Sequence, residues 1–329
     1  MNPPVNDAIA RRDFMIRAAK AGLVAAAAGT AGLLIHDRRG PQPTNKGGTV
    51  VLPDYSIPGL GAQMSIVTGA DRAKTVVRAI QGLGGIERFV KHGDRVVLKV
   101  NAAFASPCSL GATTHPIIVS EVTRLCLRAG AASVVVTDNP INDPESCFTL
   151  TGIAAAAESA GGKVVLPAPE LFQPTTLAGG RLIRNWPLLF EPLRGATKLI
   201  GIAPVKDHHR SGASMTMKNW YGLLGGRRNV FHQDIHTIIL ELARMVRPTF
   251  VILDGTTTML TNGPTGGSLE DLQATNTMIA STDPVAADSF GATLLGRTAA
   301  DLPYIGKAAA LGLGTADYES RKPARDHVD

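Results

Sequence analysis

The chain has 329 residues, of which 44% are hydrophobic, 18% are charged and 5% are aromatic. This composition is typical of a folded α/β protein with a sizeable core, in one domain or two lobes, and argues against a disordered or fibrous chain. The net charge of the chain is +6. Residues 1–40 hold six lysines and arginines against three aspartates and so contribute +3, which leaves +3 on residues 41–329. Because no long basic stripe remains there, we predict no nucleic-acid partner.

The first forty residues have the pattern of a targeting segment. Arg11 and Arg12, followed by Phe14 and Met15, resemble the twin-arginine export signal. The apolar run over residues 21–35 would span about 22 Å as a helix, which is short of a hydrocarbon core of about 30 Å. This favours a signal peptide, with an uncleaved membrane anchor as the alternative. We predict a signal or anchor over 1–40, a linker over 41–49, an α/β domain over 50–329, and a periplasmic location.

The remainder of the chain alternates between strand and helix patterns. β-branched runs predict strands over 93–101, 132–140, 196–206, 247–255 and 275–283, and a shorter strand near 163–167. Helical periodicity predicts helices over 115–131, 151–160, 232–246 and 283–296. This order predicts a layered α/β fold, with a mostly parallel sheet and helices on both faces.

The cysteine pattern limits the cofactors that this chain can bind by itself. Cys108, Cys126 and Cys147 contain no C-x-x-C pair, so we predict no iron–sulfur cluster ligated by this chain alone. Cys108 and His115 flank a glycine-containing loop and are a conceivable nucleophile and base, although a lone cysteine is more often a small buried hydrophobe.

Polar residues recur where the predicted strands end. Five of the six predicted strands end at polar residues, which are Asn101, Asp138-Asn139, Lys206 to His209, Asp254 and Asp283. Because ligands collect at the carboxyl ends of strands in such folds, we predict one polar crevice. The alternative is that aspartate and asparagine cap helices and begin turns.

The stretch VKDHHRSGASMTMKNWYG, residues 205–222, contains most of the predicted site. Lysine charges and imidazole proton donors together suit a carboxylate or phosphate ligand. The predicted ligand-binding residues are Lys206, Lys218, Asn219, Asn101 and His115, and the predicted catalytic residues are His208, His209 and Asp254. A solvated loop, whose lysines and histidines face water, is the alternative.

A second histidine pair suggests a metal. His232 and His236 are spaced i, i+4, and on one helix both imidazoles would lie on the same face, where they could bind a divalent metal. The alternative places one histidine in the first turn and the other in the core.

Several blocks, in order, resemble the domain-of-unknown-function family numbered 362. They include VLKVN (97–101), TTHP (113–116), VVVTDNP (134–140), PVKDHHRSGASMTMKNWYG (204–222), FVILDG (250–255) and ASTDPVAADSFGATLLG (280–296). The resemblance implies an α/β domain that is often exported and sometimes fused to a ferredoxin-like module, which this sequence does not show. Asp207-His208 stands where the family usually has Thr-His after the lysine, so either His208 or His209 takes the place of the family histidine.

These observations predict an exported periplasmic protein whose crevice binds an anionic small molecule or cofactor, with or without a metal, as an enzyme or redox accessory. The alternative is a structural or assembly subunit of a membrane respiratory or photosynthetic complex, anchored by its uncleaved N-terminus. A periplasmic solute-binding protein is a third interpretation.

Overall fold

The chain forms two compact units. The computed structural model describes residues 7–35 and 49–329. The first unit contains one helix, α1 (Asp7–Ile35), which includes the arginine pair and the apolar run 21–35. A search of the described residues finds no helix with the length and apolarity needed to cross a bilayer. Most of the predicted linker, residues 41–48, lies outside the described residues.

The second unit alternates strands and helices in the predicted order. Its strands are β1 (Met64–Thr68), β2 (Arg95–Lys99), β3 (Ser133–Thr137), β4 (Lys163–Val165), β5 (Phe172–Thr175), β6 (Trp186–Leu189), β7 (Lys198–His208), β8 (Gly212–Ser214), β9 (Phe250–Met259), β10 (Leu272–Ser281) and β11 (Ala324–His327). Its helices are α2 (Arg72–Gly82), α3 (Pro116–Arg128), α4 (Pro144–Leu150), α5 (Ile153–Ser159), α6 (Thr216–Asn219), α7 (Ile235–Met245), α8 (Pro284–Leu294) and α9 (Pro303–Ala310).

Within residues 49–329, nine strands form one mixed sheet. Its order is β11-β1-β10-β9-β7-β2-β3-β4, and β8 adds to β7. The pairs β9–β7, β7–β2, β2–β3 and β3–β4 are parallel, whereas β10 runs antiparallel to both β9 and β1. The sheet is therefore mostly parallel, as the sequence predicted. Strands β5 and β6 form a separate hairpin-like pair.

Alternate strand residues supply two hydrophobic cores, one on each face of the sheet. Val97 and Leu199 pack in the core with α7, α8 and α9, while Leu98 and Ile200 pack in the core with α2, α3 and α5. Side chains on a strand point alternately to opposite faces, so a continuous β-branched run is what a sheet buried on both faces requires. The predicted helices on both faces are confirmed.

Two predicted helix starts are formed by the residues that suggested them. His115 caps α3, with Pro116 as its first residue, and Asp283 caps α8, with Pro284 in the same position. Each cap accepts hydrogen bonds from backbone N–H groups that the first turn leaves without partners.

The predicted single helix over 232–246 is wrong at its beginning. Residues Arg228–Asp234 form 3₁₀ turns, and α7 begins only at Ile235. The backbone of Asp234, at φ −138° and ψ 59°, leaves the helical region, and its carboxylate pairs with Arg181. His232 and His236 therefore lie on two different segments.

The central strand β7 is closely packed at Gly201. A Cβ atom at this position would lie 2.6 Å from Cη2 and 2.9 Å from Cζ2 of the fully buried Trp220. We expect Gly201→Ala to lower the free energy of unfolding by about 2 kcal/mol, because overpacking forces side chains out of their preferred rotamers.

Chemical denaturation measures this effect, and Gly306→Ala is the matched control. Gly306 lies exposed in α9, and no neighbouring atom lies within 4 Å of the place that an added methyl group would occupy. The same substitution there should leave stability unchanged or raise it. Equal midpoints for the two variants would contradict the close packing at Gly201.

Candidate functional site

A cavity of about 650 Å³ lies at the carboxyl ends of β2, β3 and β7. These strands are parallel neighbours, so the residues that follow them meet at one edge of the sheet. The wall includes Asn101 and Asp138 after β2 and β3, and the end of β7 itself supplies Lys206 and His208. Because β7 runs to His208, Lys206 and His208 belong to the strand itself and do not follow it.

A buried ion pair forms the base of the cavity. Lys99 Nζ lies 2.7 Å from Asp138 Oδ1, and both side chains are almost fully buried. The other carboxylate oxygen of Asp138 accepts a hydrogen bond from the Ala102 N–H at 2.7 Å. Burial lowers the pKa of Lys99, and the charge of Asp138 opposes that effect. The pair ties the end of β2 to the end of β3.

Asn219 joins β2 to β7 beside this pair. Its side-chain N–H₂ group donates to the carbonyl oxygens of Lys99 at 3.1 Å and Ile202 at 3.2 Å. Its oxygen accepts from Lys99 Nζ at 3.2 Å. Because its polar atoms are used within the framework, Asn219 positions the strand ends.

Gly222 packs directly against the ion pair. A Cβ atom at this position would collide with Asp138 Oδ1 and would lie 2.7 Å from Lys99 Nζ. Only glycine fits between the backbone of residue 222 and the buried charges.

Besides the exposed Arg210, three further cations line the cavity without a carboxylate partner among the described residues. Lys206 Nζ donates to the Ala112 carbonyl and lies 5.2 Å from the Phe104 ring centre, while Lys218 Nζ lies 5.4 Å from the Tyr221 ring centre. The Arg228 guanidinium donates only to the backbone carbonyls of Asn139, Pro140, Tyr221 and Leu224.

Burial and mutual repulsion change the protonation of the two lysines. Burial, with the nearby charge of Lys218, lowers the pKa of Lys206 to about 7. Burial, with the charges of Arg228 and Lys99, lowers the pKa of Lys218 to about 7. Each amine is thus poised between its charged and neutral forms near neutral pH.

Three imidazoles form a stack along one wall. The ring centre of His208 lies 5.0 Å from that of His209 and 5.8 Å from that of His232. Nδ1 of His208 accepts from the backbone N–H groups of Arg210 and Ser211, at 3.2 and 3.3 Å, so the hydrogen-bond network assigns the ring proton to Nε2. Burial, with the charge of Lys218, lowers the pKa of His208 to about 2, which makes it a neutral imidazole.

His209 and His232 occupy different surroundings from His208. His209 is exposed, and its Nδ1 lies 3.3 Å from the Gly263 carbonyl oxygen. His232 Nδ1 lies 3.2 Å from Tyr221 Oη, and burial lowers the pKa of His232.

The structure does not bring the predicted metal pair together. His236 stacks on Tyr304 with a ring-centre distance of 6.2 Å, whereas His232 contacts Tyr221 and His208. The helix break at Asp234 separates the two imidazoles. Among the described residues, no group of three or more histidine, cysteine or carboxylate side chains is arranged to hold a metal ion.

Asp254 and His115 do not line the cavity. Asp254 lies within β9 and points towards α2, where its carboxylate pairs with Arg72 at 3.1 Å. His115 uses Nδ1 to cap α3 by accepting from the Ile117 N–H, and burial and the charge of Arg72 lower its pKa. The two residues contribute to a separate polar cluster.

The prediction that Asp283 shares the crevice is also wrong. Asp283 follows β10, which runs antiparallel to β9, so its carboxyl end lies at the opposite edge of the sheet. There Asp283 caps α8 and pairs with Arg321 at 2.8 Å. Its capping role is the alternative that the sequence had left open.

The wall residues that the sequence interpretation missed include Lys99, Arg228 and Tyr221. Lys99 lies inside a β-branched run, and a charge in such a run is a signal that could have identified it. Arg228 and Tyr221 carried no such signal, because their contacts depend on how the 3₁₀ turns fold back over the strand ends. Asn101 was predicted, and its side-chain oxygen is buried without a partner among the described residues.

The chain matches a protein-family model and is similar to a thylakoid-associated protein. The family model described as domain of unknown function (DUF362) matches residues 96–293, which is more than half of the chain. A thylakoid-associated protein of Synechocystis sp. is 26% identical over 257 residues, covering 74% of this chain and 76% of that protein.

Solved structures also resemble the chain, at low sequence identity. The lactate racemase apoprotein from Thermoanaerobacterium thermosaccharolyticum matches at 14% identity and a TM-score of 0.41, covering 74% of this chain and 58% of that one. A Thermotoga maritima protein matches at 12% identity and a TM-score of 0.34, covering 56% of this chain and 51% of that one.

We expect Asp138→Asn to lower the free energy of unfolding by about 3 kcal/mol, because it leaves the Lys99 charge buried without a partner. Adding Lys99→Met to this variant should restore part of the loss. Urea denaturation measures both, with Glu319→Gln in the exposed pair with Arg325 as a control that should change little. A double variant no more stable than Asp138→Asn would contradict the explanation.

The lowered pKa values of Lys206 and Lys218 predict that the stability of the protein depends on pH. Their pKa is about 7 in the folded protein and about 10.4 when unfolded, so between these values the unfolded chain binds more protons. Stability of the ligand-free protein should therefore rise with pH over this window, by up to about 1.4 kcal/mol per pH unit for each lysine. Denaturation midpoints measure the slope, which Lys206→Met and Lys218→Met should each reduce. A slope unchanged in both variants would contradict the shifted pKa values.

Proposed function

This chain belongs to the domain of unknown function family DUF362, and we propose that its crevice binds an anionic small molecule or cofactor and exchanges protons with it. The observation that carries this proposal is the charge of the cavity wall. Lys206, Lys218 and Arg228 face the cavity without carboxylate partners in the described part of the chain, and Asp138 is already paired with Lys99.

An anion bound in the cavity would compensate the positive charge of the cavity wall. At about 4 Å and an effective dielectric constant near 20, a unit negative charge attracts each cation by about 4 kcal/mol before its own desolvation is subtracted. It would also raise the pKa of Lys206 and Lys218, so that binding at neutral pH takes up protons. A carboxylate or a phosphate has the charge and the acceptor oxygens that this wall can bind.

The imidazole stack supplies a hydrogen-bond donor and a proton-transfer group. His208 is a neutral imidazole that presents Nε2–H as a hydrogen-bond donor, because Nδ1 is occupied by two backbone N–H groups. His209, which is exposed beside it, exchanges the proton with the ligand. The unpartnered oxygen of Asn101 orients the ligand by accepting a hydrogen bond.

In this proposal the protein is exported to the periplasm by the twin-arginine signal of residues 1–40 and works there as an enzyme or redox accessory. The His232 and His236 side chains do not fit a shared metal ion, so no step of the proposal uses one. Native mass spectrometry and metal analysis of the protein purified from its own host test the proposal. A stoichiometric anionic adduct supports it, and an empty chain that binds neither carboxylates nor phosphates contradicts it.

A second candidate function is suggested by the relative that is named as thylakoid-associated. In this alternative the chain is a structural or assembly subunit of a membrane complex, held by its uncleaved N-terminus. Membrane fractionation followed by N-terminal sequencing separates the two candidates. An intact N-terminus in a membrane complex, together with an empty crevice, favours the second.

Lys206→Ala should weaken binding of the bound anion, because it removes one charge-assisted contact from the wall. We expect a loss of about 10- to 100-fold in affinity, as is typical for hydrogen bonds to charged groups. Isothermal titration of the native anion, or of phosphate as a probe, measures the change. Lys163→Ala, at an exposed position on β4, is the matched control. Equal affinities for the two variants would remove Lys206 from the site.

A further inference from the structure

We infer that Lys218 is a nucleophile that forms a covalent imine with the carbonyl carbon of an anionic substrate, of which a 2-oxo acid is the simplest class. The inference rests on the proposed anion-binding function and names the substrate class. It follows from the different surroundings of the lysines in one cavity.

Only one of these lysines has an accessible amine without a hydrogen-bond acceptor. Lys99 is paired with Asp138, and the buried Lys206 donates to the Ala112 carbonyl. Lys218 is partly exposed, lines the cavity and faces the Tyr221 ring, and no acceptor within the described residues contacts its Nζ. Its lone pair, when the amine is neutral, is free to attack a bound ligand.

The neighbouring cations favour the neutral amine that attack requires. Burial and the charges of Arg228 and Lys99 lower the pKa of Lys218 to about 7, so about half of it is neutral at pH 7. An ordinary lysine is neutral in only about one molecule in two thousand at this pH. A lysine that is desolvated beside another cation is the usual activated form for imine formation.

The same cations hold the substrate in place. Lys206 would bind the carboxylate, and the charge of Arg228 would add to the attraction, which directs the adjacent carbonyl carbon towards Lys218. Holding nucleophile and carbonyl together in this way makes the addition effectively intramolecular.

The step balances without an oxidant or a reductant. The Nζ lone pair forms a bond to the carbonyl carbon, the nitrogen loses a proton and the carbonyl oxygen gains one, which gives a carbinolamine. The carbinolamine then loses water and leaves the imine. In that loss the carbon–oxygen bond breaks, and the departing hydroxyl takes up, through solvent water, the proton that the nitrogen gives up. His208, which lines the same cavity and whose pKa burial and the charge of Lys218 lower, stays neutral and donates an Nε2–H hydrogen bond to the oxygen.

Reductive trapping tests this inference on the full-length protein. The protein is incubated with pyruvate and sodium cyanoborohydride, and peptide mass mapping locates the reduced adduct. Lys218→Arg keeps the charge but removes the nucleophile, and Lys163→Arg, at an exposed position on β4 outside the cavity, is the matched control. Circular dichroism confirms that each variant is folded.

We expect one adduct per chain on Lys218, lost in Lys218→Arg and formed in Lys163→Arg. Labelling of Lys218 in the unmodified sequence should begin at a lower pH than labelling of surface lysines, because burial and the charges of Arg228 and Lys99 lower the pKa of this amine to about 7 before the anion binds. The charged or titratable groups that face this amine are Arg228, Lys99, Lys206, His208, His232 and Tyr221. The profile of the unmodified sequence tests the inference even if a variant does not fold.

Labelling that is spread over surface lysines, is equal in Lys218→Arg, or has the same pH profile on Lys218 as on surface lysines would overturn the inference. Calorimetry with propionate, an anion without a reactive carbonyl, separates this failure from that of the proposed function. Propionate binding without an adduct overturns the imine alone. An absence of both propionate binding and the adduct overturns the imine together with carboxylate binding.

Discussion

The buried ion pair between Lys99 and Asp138 is the constraint on which the crevice depends. It joins the ends of β2 and β3, and Asn219 extends the connection to β7 through the carbonyl oxygens of Lys99 and Ile202. A buried pair of this kind contributes little net stability but is costly to break, because either partner alone would be an uncompensated charge. It therefore specifies where three strand ends lie relative to one another.

The same pair determines the electrostatics of the cavity. Asp138 is paired directly with Lys99, so its charge compensates Lys206 and Arg228 only in part. Burial then lowers the pKa of both lysines to about 7, which leaves a wall that is costly when empty and favourable towards an anion. Buried charges that lower the stability of the ligand-free protein are expected where a protein binds a ligand.

Strand direction separates the cavity from the rest of the polar residues. The parallel strands β2, β3 and β7 bring their carboxyl ends together, whereas the antiparallel β10 places Asp283 at the other edge. Asp254 shares the correct edge but faces α2 and is held by Arg72. The position of a polar residue after a strand therefore does not by itself identify the site that the residue joins. The direction of the strand and the face of the sheet on which the residue lies also decide it.

The sequence by itself determined the layered α/β fold, the order of its elements and the polar stretch around Lys206, His208 and Lys218. These depend on local periodicity, caps and β-branched runs, which act over a few residues. Only the tertiary structure decided that Lys99 and Arg228 belong to the wall and that His232 and His236 separate at Asp234. Those outcomes depend on long-range strand pairing and on burial of charge. Neither is encoded in the spacing of residues along the chain.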